Sequence, residues 1–184
     1  MHRVPAATAV ILTSRILIEV SGMQDEVDRL VAAWRRERPD LDVTPMEVLS
    51  RISRLATHLD RARKQAFADH GLEPSEFDVL SALRRAGHPY RLSPGQLVQE
   101  TLVTSGTMTH RVDRLLAKGL VDRQPDPADR RGVQVGLTDA GRTAVDGALD
   151  ALLESERALL ADLPQPGREA VASALRTLSL PFDA

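Results

Sequence analysis

Hydroxyl and guanidinium side chains recur on one face of a helix that the sequence predicts just after Thr104. The opposite face is apolar at helical spacing, with Met108, Val112, Leu115 and Leu116. The polar residues are Ser105, Thr107, Thr109, Arg111 and Arg114, with His110 beside the first arginine. In the major groove of DNA a guanidinium can take both acceptors of a guanine, which discriminates by about 1–3 kcal/mol against a wrong base, and hydroxyls hold phosphates. These residue types predict a helix that reads DNA.

A second basic group, Arg130 and Arg131, lies at the tip of a hairpin loop predicted between residues 124 and 132. A narrow minor groove focuses negative potential, and arginine side chains insert there. Asp129 precedes the pair and is expected to orient one of the two guanidinium groups. The hairpin is therefore predicted to be a wing that contacts the minor groove.

Capping residues place these groups on a helix, a turn, a second helix and a hairpin. A capping box that begins at Ser93 opens the first helix, and Thr104 caps the second. Gly119 ends the second helix, and apolar alternation predicts strands near residues 120–124 and 133–137. This order of elements predicts a winged helix.

Amphipathic helices are predicted on both sides of the winged helix. Before it, one helix is stopped by Pro39, and a longer one opens with a capping box at Thr44 and Glu47. The longer helix is expected to direct five apolar residues inward, namely Val48, Leu49, Ile52, Leu55 and Leu59. After the winged helix, Thr138 caps another long helix, and Pro164 separates it from the last one.

The fold class is thus predicted to be mostly α with a small β-hairpin wing. We expect a single domain from 23 to 184, with the winged helix at about 74–142. Dimerisation helices are expected at about 23–70 and 139–180, because these segments have no obvious partner inside one small winged helix. Packing within one chain is the alternative. Residues 1–22 are expected to be an N-terminal extension that is not part of the native product.

Composition agrees with a globular protein and argues against several functional classes. The chain of 184 residues is 42% hydrophobic and 27% charged, and its longest apolar runs are too short to span a membrane. It has no cysteine, and its five histidines lack metal-ligand spacing, so we expect neither a metal nor a cofactor. No catalytic constellation is evident, and an enzyme is not expected. A cytoplasmic location is predicted.

Charge is distributed unevenly along the chain. The formal net charge is -2, yet residues 104–131 carry +2 and the remainder carries -4. A local positive balance is what a nucleic-acid contact requires, because it neutralises phosphates.

Several motifs carry a resemblance to a known family. The run from Leu92 to Arg142, especially KGLVDR, PDPADRRG and LTDAGR, resembles the MarR family of winged-helix transcriptional regulators. The resemblance implies a homodimer that binds a near-palindromic operator and whose DNA affinity is set by a small ligand or an oxidant. Direct thiol sensing is excluded here by the absence of cysteine.

Two further segments, AAWRRERPDLD and EFDVLSALRRAG, are similar to the branch of that family that answers to urate or related small anions. The resemblance implies a ligand pocket framed by Trp34, Asp78 and Arg111. Trp34 would offer a stacking face and Arg111 an anion clamp, while Asp78 would hold Arg111 until the anion displaces it. His110 stands where that branch has asparagine.

Each of these three residues also has a structural interpretation. Trp34 lies on an apolar stripe and could belong to the core, Asp78 could cap its own helix after Ser75, and Arg111 could serve DNA alone.

The favoured function is a ligand-responsive DNA-binding regulator, a homodimeric repressor released by a small anion. The alternative is a winged helix that binds only protein.

Overall fold

The structure is a computed structural model that describes residues 24–101, 103–127 and 132–182. The predicted extension 1–22 and the predicted wing-tip residues Asp129, Arg130 and Arg131 lie outside the described residues. The chain divides into two compact units. The described residues up to His58 together with those from Arg157 onward form one unit, and the described residues of Leu59–Glu156 form the other.

Helices dominate the described part of the chain, and a small sheet accompanies them. In chain order the elements are α1 Glu26–Glu37, α2 Thr44–Ala68, α3 Pro74–Arg85, β1 Arg91–Leu92, α4 Pro94–Thr101, α5 Ser105–Ala117, β2 Val121–Pro125, β3 Val133–Leu137, α6 Asp139–Leu159, α7 Gln165–Ser179 and a 3-10 turn Leu180–Phe182. The predicted fold class, mostly α with a small β-hairpin wing, is confirmed.

The predicted capping residues form their hydrogen bonds at three helix starts. At α4, Ser93 Oγ accepts from the Gln96 amide at 3.3 Å and Gln96 Oε1 accepts from the Ser93 amide at 2.8 Å. Thr104 Oγ1 accepts from the Thr107 amide at the start of α5. Thr138 Oγ1 accepts from the Gly141 amide at the start of α6. Each bond satisfies a backbone donor that the helix leaves unpaired.

Two other predicted caps are wrong. Helix α2 begins at Thr44 itself, and Asp42 Oδ1 accepts from the Thr44 amide at 3.0 Å. At α3 the capping pair is Glu73 with Glu76, so Asp78 lies a full turn inside the helix and does not cap it. In both cases another carboxylate lies nearer to the free amides.

The sheet is antiparallel with the strand order β1-β3-β2. The predicted hairpin is confirmed, with Val121 opposite Leu137 and Arg123 opposite Val135. The third strand, β1, pairs Arg91 with Gly136 and was not predicted, because two residues are too few to show alternation.

A hydrophobic core lies within the unit Leu59–Glu156. Phe67 stacks on Phe77 with ring centroids 4.0 Å apart, next to buried leucines of α3 and α4. The predicted apolar stripe of α5 is confirmed, since Met108, Val112 and Leu115 are buried in this core. Burial of the stripe leaves the polar face of α5 outward.

The other compact unit has a much smaller core. Val27 and Val31 of α1 pack with Val43, and Met46 packs against them. Trp34 follows Val31 by three residues, yet it is 44% exposed, so the interpretation of Trp34 as a core residue is wrong for the single chain.

The inward direction predicted for α2 is also wrong for most of the five residues. Val48, Leu49 and Leu55 are exposed, and only Ile52 and Leu59 are partly buried. Helix α7 has no buried residue and exposes Val171, Leu175 and Leu178. Apolar faces of these helices are therefore uncovered in one chain. Among the described helices, none is both long and apolar enough to cross a membrane.

The start of α6 packs tightly against the strand that leaves α5, which generates a stability prediction. A Cβ at Gly141 would overlap the carbonyl oxygen of Leu120, whereas one at Gly106 meets nothing within 4 Å. We expect Gly141→Ala to lower the free energy of unfolding by about 1–3 kcal/mol, because backbone atoms must shift. Urea denaturation at one fixed protein concentration measures this change.

Gly106→Ala is the matched control, since it makes the same change in a helix with open space. It should alter the free energy of unfolding by at most about 1 kcal/mol, in the stabilising direction. Equal effects of the two substitutions would contradict the packing described at Gly141.

Candidate nucleic-acid interface

The first half of α5 presents hydroxyl groups to solvent. Ser105, Thr107, Thr109 and His110 are all exposed. Thr107 Oγ1 lies 3.0 Å from Thr104 Oγ1, and Thr109 Oγ1 donates to the Ser105 carbonyl at 3.1 Å. Backbone amides at a helix N-terminus attract anions, and these hydroxyls surround them. The arrangement suits contacts with phosphate groups.

Arg111 differs from these residues because its side chain is only 19% exposed. One terminal nitrogen lies 3.9 Å from Asp78 Oδ2 on α3, and that nitrogen is buried with no hydrogen-bond partner among the described residues. Arg63 of α2 approaches the other oxygen of Asp78 at 3.8 Å. Asp78 thus lies between two guanidinium groups at distances longer than a hydrogen bond.

A cleft of about 290 Å³ lies beside this carboxylate, within the unit Leu59–Glu156. The cleft is lined by Arg63, Phe77, Asp78, Ser81, Arg85, Glu100 and Thr101. Arg85 donates to Ser81 Oγ at 2.7 Å and reaches Glu100 at 3.4 Å. The lining therefore combines an aromatic ring with two arginines and two carboxylates.

Arg114, the second arginine of α5 that was predicted to contact DNA, is near a carboxylate that sequence reasoning missed. Its terminal nitrogen lies 3.2 Å from Glu76 Oε1, and Glu76 is 0% exposed. Glu76 Oε2 accepts from Lys118 Nζ at 2.6 Å and from the Glu73 amide at 2.9 Å. Lys118 also donates to the Gly71 carbonyl at 2.9 Å. The end of α5 is thereby linked to the start of α3.

Opposing influences act on the pKa of Glu76. Burial raises the pKa, but the Glu73 amide and the charges of Lys118 and Arg114 outweigh burial and leave the pKa below its ordinary value of 4.5. Glu76 is therefore a buried carboxylate that is charged at neutral pH. A pair of glutamates three residues apart before an apolar run is the only sequence signal that could have indicated it.

The base of the predicted wing is held by ion pairs. Arg91 of β1 makes two hydrogen bonds with Asp122 of β2, at 3.0 and 3.2 Å. Gly136 makes room for this contact, because a Cβ there would lie 2.8 Å from the Arg91 guanidinium. Arg123 donates to Asp113 of α5 at 2.8 Å. These contacts connect the hairpin to α5.

The predicted ligand residues fall in different parts of the described structure. Asp78 and Arg111 lie together as described, while Trp34 belongs to the other compact unit. The three-residue pocket therefore stays a prediction, and so do the individual DNA contacts.

Relatives of known class match this chain over most of its length. The HTH-type transcriptional regulator PecS of Dickeya dadantii is 40% identical over 153 residues, which cover 83% of this chain and 90% of PecS. A family model described as the MarR family matches residues 70–132. The chain belongs to the MarR family.

Solved structures of MarR-family regulators share the fold. A mutant MarR from E. coli, complexed with operator DNA, has a TM-score of 0.61 and 25% identity, covering 75% of this chain and 99% of that one. BpsR of Bordetella bronchiseptica, whose DNA binding is regulated by 6-hydroxynicotinic acid, has a TM-score of 0.60 and 30% identity, covering 72% and 92%. This MarR-family chain is accordingly a winged-helix, DNA-binding transcriptional regulator.

The buried pair of Glu76 and Lys118 generates a pH-dependent stability prediction. Lys118→Met leaves the buried carboxylate without its ammonium partner, and we expect the free energy of unfolding at pH 7 to fall by about 1–3 kcal/mol. Because the folded pKa of Glu76 is lowered from 4.5, the stabilisation is present above pH 4.5 and is lost as the pH falls through the folded pKa. Urea denaturation at pH 7 and at steps below pH 4.5 measures both effects.

Lys64→Met is the matched control, since Lys64 pairs with Asp60 at 2.7 Å on an exposed helix surface. We expect a loss of at most about 0.5 kcal/mol there. If Lys118→Met lowers the free energy of unfolding by no more than Lys64→Met does, the stabilising contact between Lys118 and Glu76 is disproved. The same conclusion follows if the decrease in free energy stays constant below pH 4.5.

Proposed function

We propose that this regulator is a repressor that binds a near-palindromic operator as a homodimer and leaves the operator when a small organic anion binds beside Arg111. The observation that carries the proposal is the position of Arg111. Its guanidinium turns away from the exposed face of the reading helix and toward Asp78, next to an open cleft. An arginine devoted to DNA alone would be expected to extend outward.

The hydrogen-bonding environment of the Arg111 guanidinium favours an anion as the effector. In the part of the chain that the structure describes, its buried nitrogen has no hydrogen-bond partner and lies 3.9 Å from Asp78, which leaves hydrogen-bonding capacity unused in a place where that is costly. A carboxylate or an enolate could take two guanidinium N–H groups at once. Trp34 is proposed to add a stacking face, as the family resemblance of its sequence segment implies.

Anion binding at Arg111 would be coupled to DNA binding through α5. Arg111 lies on the same helix as the proposed DNA contacts Ser105, Thr107, Thr109 and His110. An anion that draws Arg111 further inward would rotate or shift this helix, and two ligands that favour different positions of one element oppose each other by linkage. The DNA binding of BpsR is regulated by 6-hydroxynicotinic acid, which supports a coupling between a small organic acid and DNA binding.

DNA recognition would use three groups of residues. The hydroxyls and His110 would hold phosphates near the start of α5, and Arg114 would reach the bases from its second half. Arg130 and Arg131, oriented by Asp129, are proposed to enter the minor groove from the wing.

The exposed apolar helix faces support a homodimer. Val48, Leu49 and Leu55 of α2 and the apolar residues of α7 are exposed in one chain. Exposed apolar helix faces mark interaction sites when they form a patch, and a two-fold pair would bury the same faces on both subunits. Such a pair presents two reading helices to half-sites about one helical turn apart.

The operator proposal is tested by selecting duplexes from a random-sequence library with the purified protein. We expect near-palindromic sequences whose half-sites are about 10–10.5 base pairs apart, with two chains per duplex by analytical ultracentrifugation. Changing Val171 and Leu175 together to Asp should give monomers and weaken binding to the selected duplex at least about a hundredfold, because a helix–turn–helix dimer holds two half-sites.

Ser173→Asp is the control, since it adds negative charge to another face of the same helix. It should leave both the dimer and the affinity nearly unchanged. Selected sequences without internal symmetry, or a double variant that remains dimeric, would refute the proposed assembly.

The effector proposal is tested by thermal shift with urate and small aromatic carboxylates. We expect at least one anion to raise the melting temperature by about 5–10 °C at a hundredfold excess over its Kd, and to release the selected duplex. Arg111→Gln and Trp34→Ala should each abolish most of that shift, because they remove the proposed clamp and stacking face.

Arg123→Gln serves as the control variant, because Arg123 is paired with Asp113 and does not line the cleft. It should keep the full shift. An anion that stabilises the wild type, Arg111→Gln and Trp34→Ala equally would show that the effector binds elsewhere.

A further inference from the structure

The buried carboxylate of Glu76 joins two helices through two cations of α5. Glu76 belongs to α3, while Arg114 and Lys118 belong to the last turn of the reading helix and to its cap. Lys118 Nζ lies 2.6 Å from Glu76 Oε2 and also donates to the Gly71 carbonyl. The ammonium group is therefore held by two acceptors of the protein, although the Lys118 side chain is 38% exposed.

Arg114 has a different relation to the same carboxylate. One terminal nitrogen lies 3.2 Å from Glu76 Oε1, although the geometry is not that of a hydrogen bond and Oε1 has no other partner among the described residues. The Arg114 side chain is 53% exposed, so the rest of its guanidinium faces solvent. Arg114 is thus tethered at one end and available at the other.

We propose that Glu76 is a positioning residue for DNA recognition, which holds Arg114 in one orientation on the reading helix and keeps Lys118 away from DNA. The proposal rests on the proposed recognition of DNA by α5. Glu76 does not reach the surface, yet under this proposal it affects how well the protein distinguishes one DNA sequence from another.

The physical basis is the difference between a tethered and a free cation. A free lysine or arginine finds phosphates on any sequence, and this adds affinity without discrimination. A guanidinium held at one end offers its remaining N–H groups in a fixed direction, which suits a base edge. If Arg114 left Glu76, the buried carboxylate would lose one of the two cations described beside it, so departure is disfavoured.

The test compares Glu76→Gln with wild type on two probes, the selected duplex and the same duplex with its sequence scrambled. Kd is measured for each probe over a series of salt concentrations. Glu73→Gln is the matched control, because Glu73 is exposed, lies three residues earlier and loses the same charge. Circular dichroism and ultracentrifugation establish that each variant is folded and dimeric.

With Glu76→Gln, we expect tighter binding to the scrambled duplex and a fall of about tenfold in the ratio of the two Kd values. The plot of log Kd against log salt should also steepen by about one unit or more for each released cation per subunit, because more phosphates are neutralised. Glu73→Gln should change both probes by the same small factor and leave the slope unaltered.

A purely structural role for Glu76 gives a different result. In that case Glu76→Gln would weaken binding to both duplexes by the same factor and leave the slope of the salt dependence unchanged. That result, or a result identical to that of Glu73→Gln, would overturn the proposal. A wild type that fails to discriminate between the probes would instead overturn the proposed function, and this inference with it.

Lys118→Met keeps the proposal testable if Glu76→Gln does not fold. It removes the second cation but leaves Glu76 charged beside Arg114, so the ratio of the two Kd values and the salt dependence should both keep their wild-type values. A clearly lower ratio in folded Lys118→Met would contradict the positioning of Arg114 by Glu76.

Discussion

Burial of one face of α5 is the constraint on which the rest of the structure depends. Met108, Val112 and Leu115 fix this helix in the core of its unit, and their helical spacing leaves the hydroxyls of Ser105 and Thr109 at the surface. Because the packing determines the rotation of the helix, it also determines which side chains can meet DNA. The capping bonds at Thr104 and Thr138 and the antiparallel strands serve to hold this helix and its wing in register.

Carboxylates from α3 control the cations of the reading helix. Asp78 lies opposite Arg111, and Glu76 lies opposite Arg114 and Lys118, so that one helix determines where three positive groups of another are directed. The two carboxylates differ in burial, since Glu76 is fully enclosed while Asp78 borders the cleft. The contact of the enclosed Glu76 is therefore permanent, whereas Asp78 is accessible to a competing ligand.

The sequence was informative wherever a local pattern determined the structure. The caps at Ser93, Thr104 and Thr138 and the apolar stripe of α5 depend on residues within one turn, and they were predicted correctly. Features that depend on distant residues could not be predicted in this way. Strand β1 exists because β3 offers it an edge, and Glu76 is buried because Lys118, 42 residues later, supplies its partner. The exposure of Val48 and Leu49 reflects a surface that a single chain does not cover.

The cleft beside Asp78 has a consequence for chemical selectivity. Its two arginines already face carboxylates of the protein, so an incoming molecule gains an electrostatic partner only by exchanging with one of those carboxylates. Such an exchange favours a rigid, flat compound whose acceptor atoms match the spacing of the N–H groups of a guanidinium. A flexible polyanion is disfavoured, because Asp78 and Glu100 would repel its additional negative charges. Shape, more than the number of negative charges, would thus decide which metabolites the regulator distinguishes.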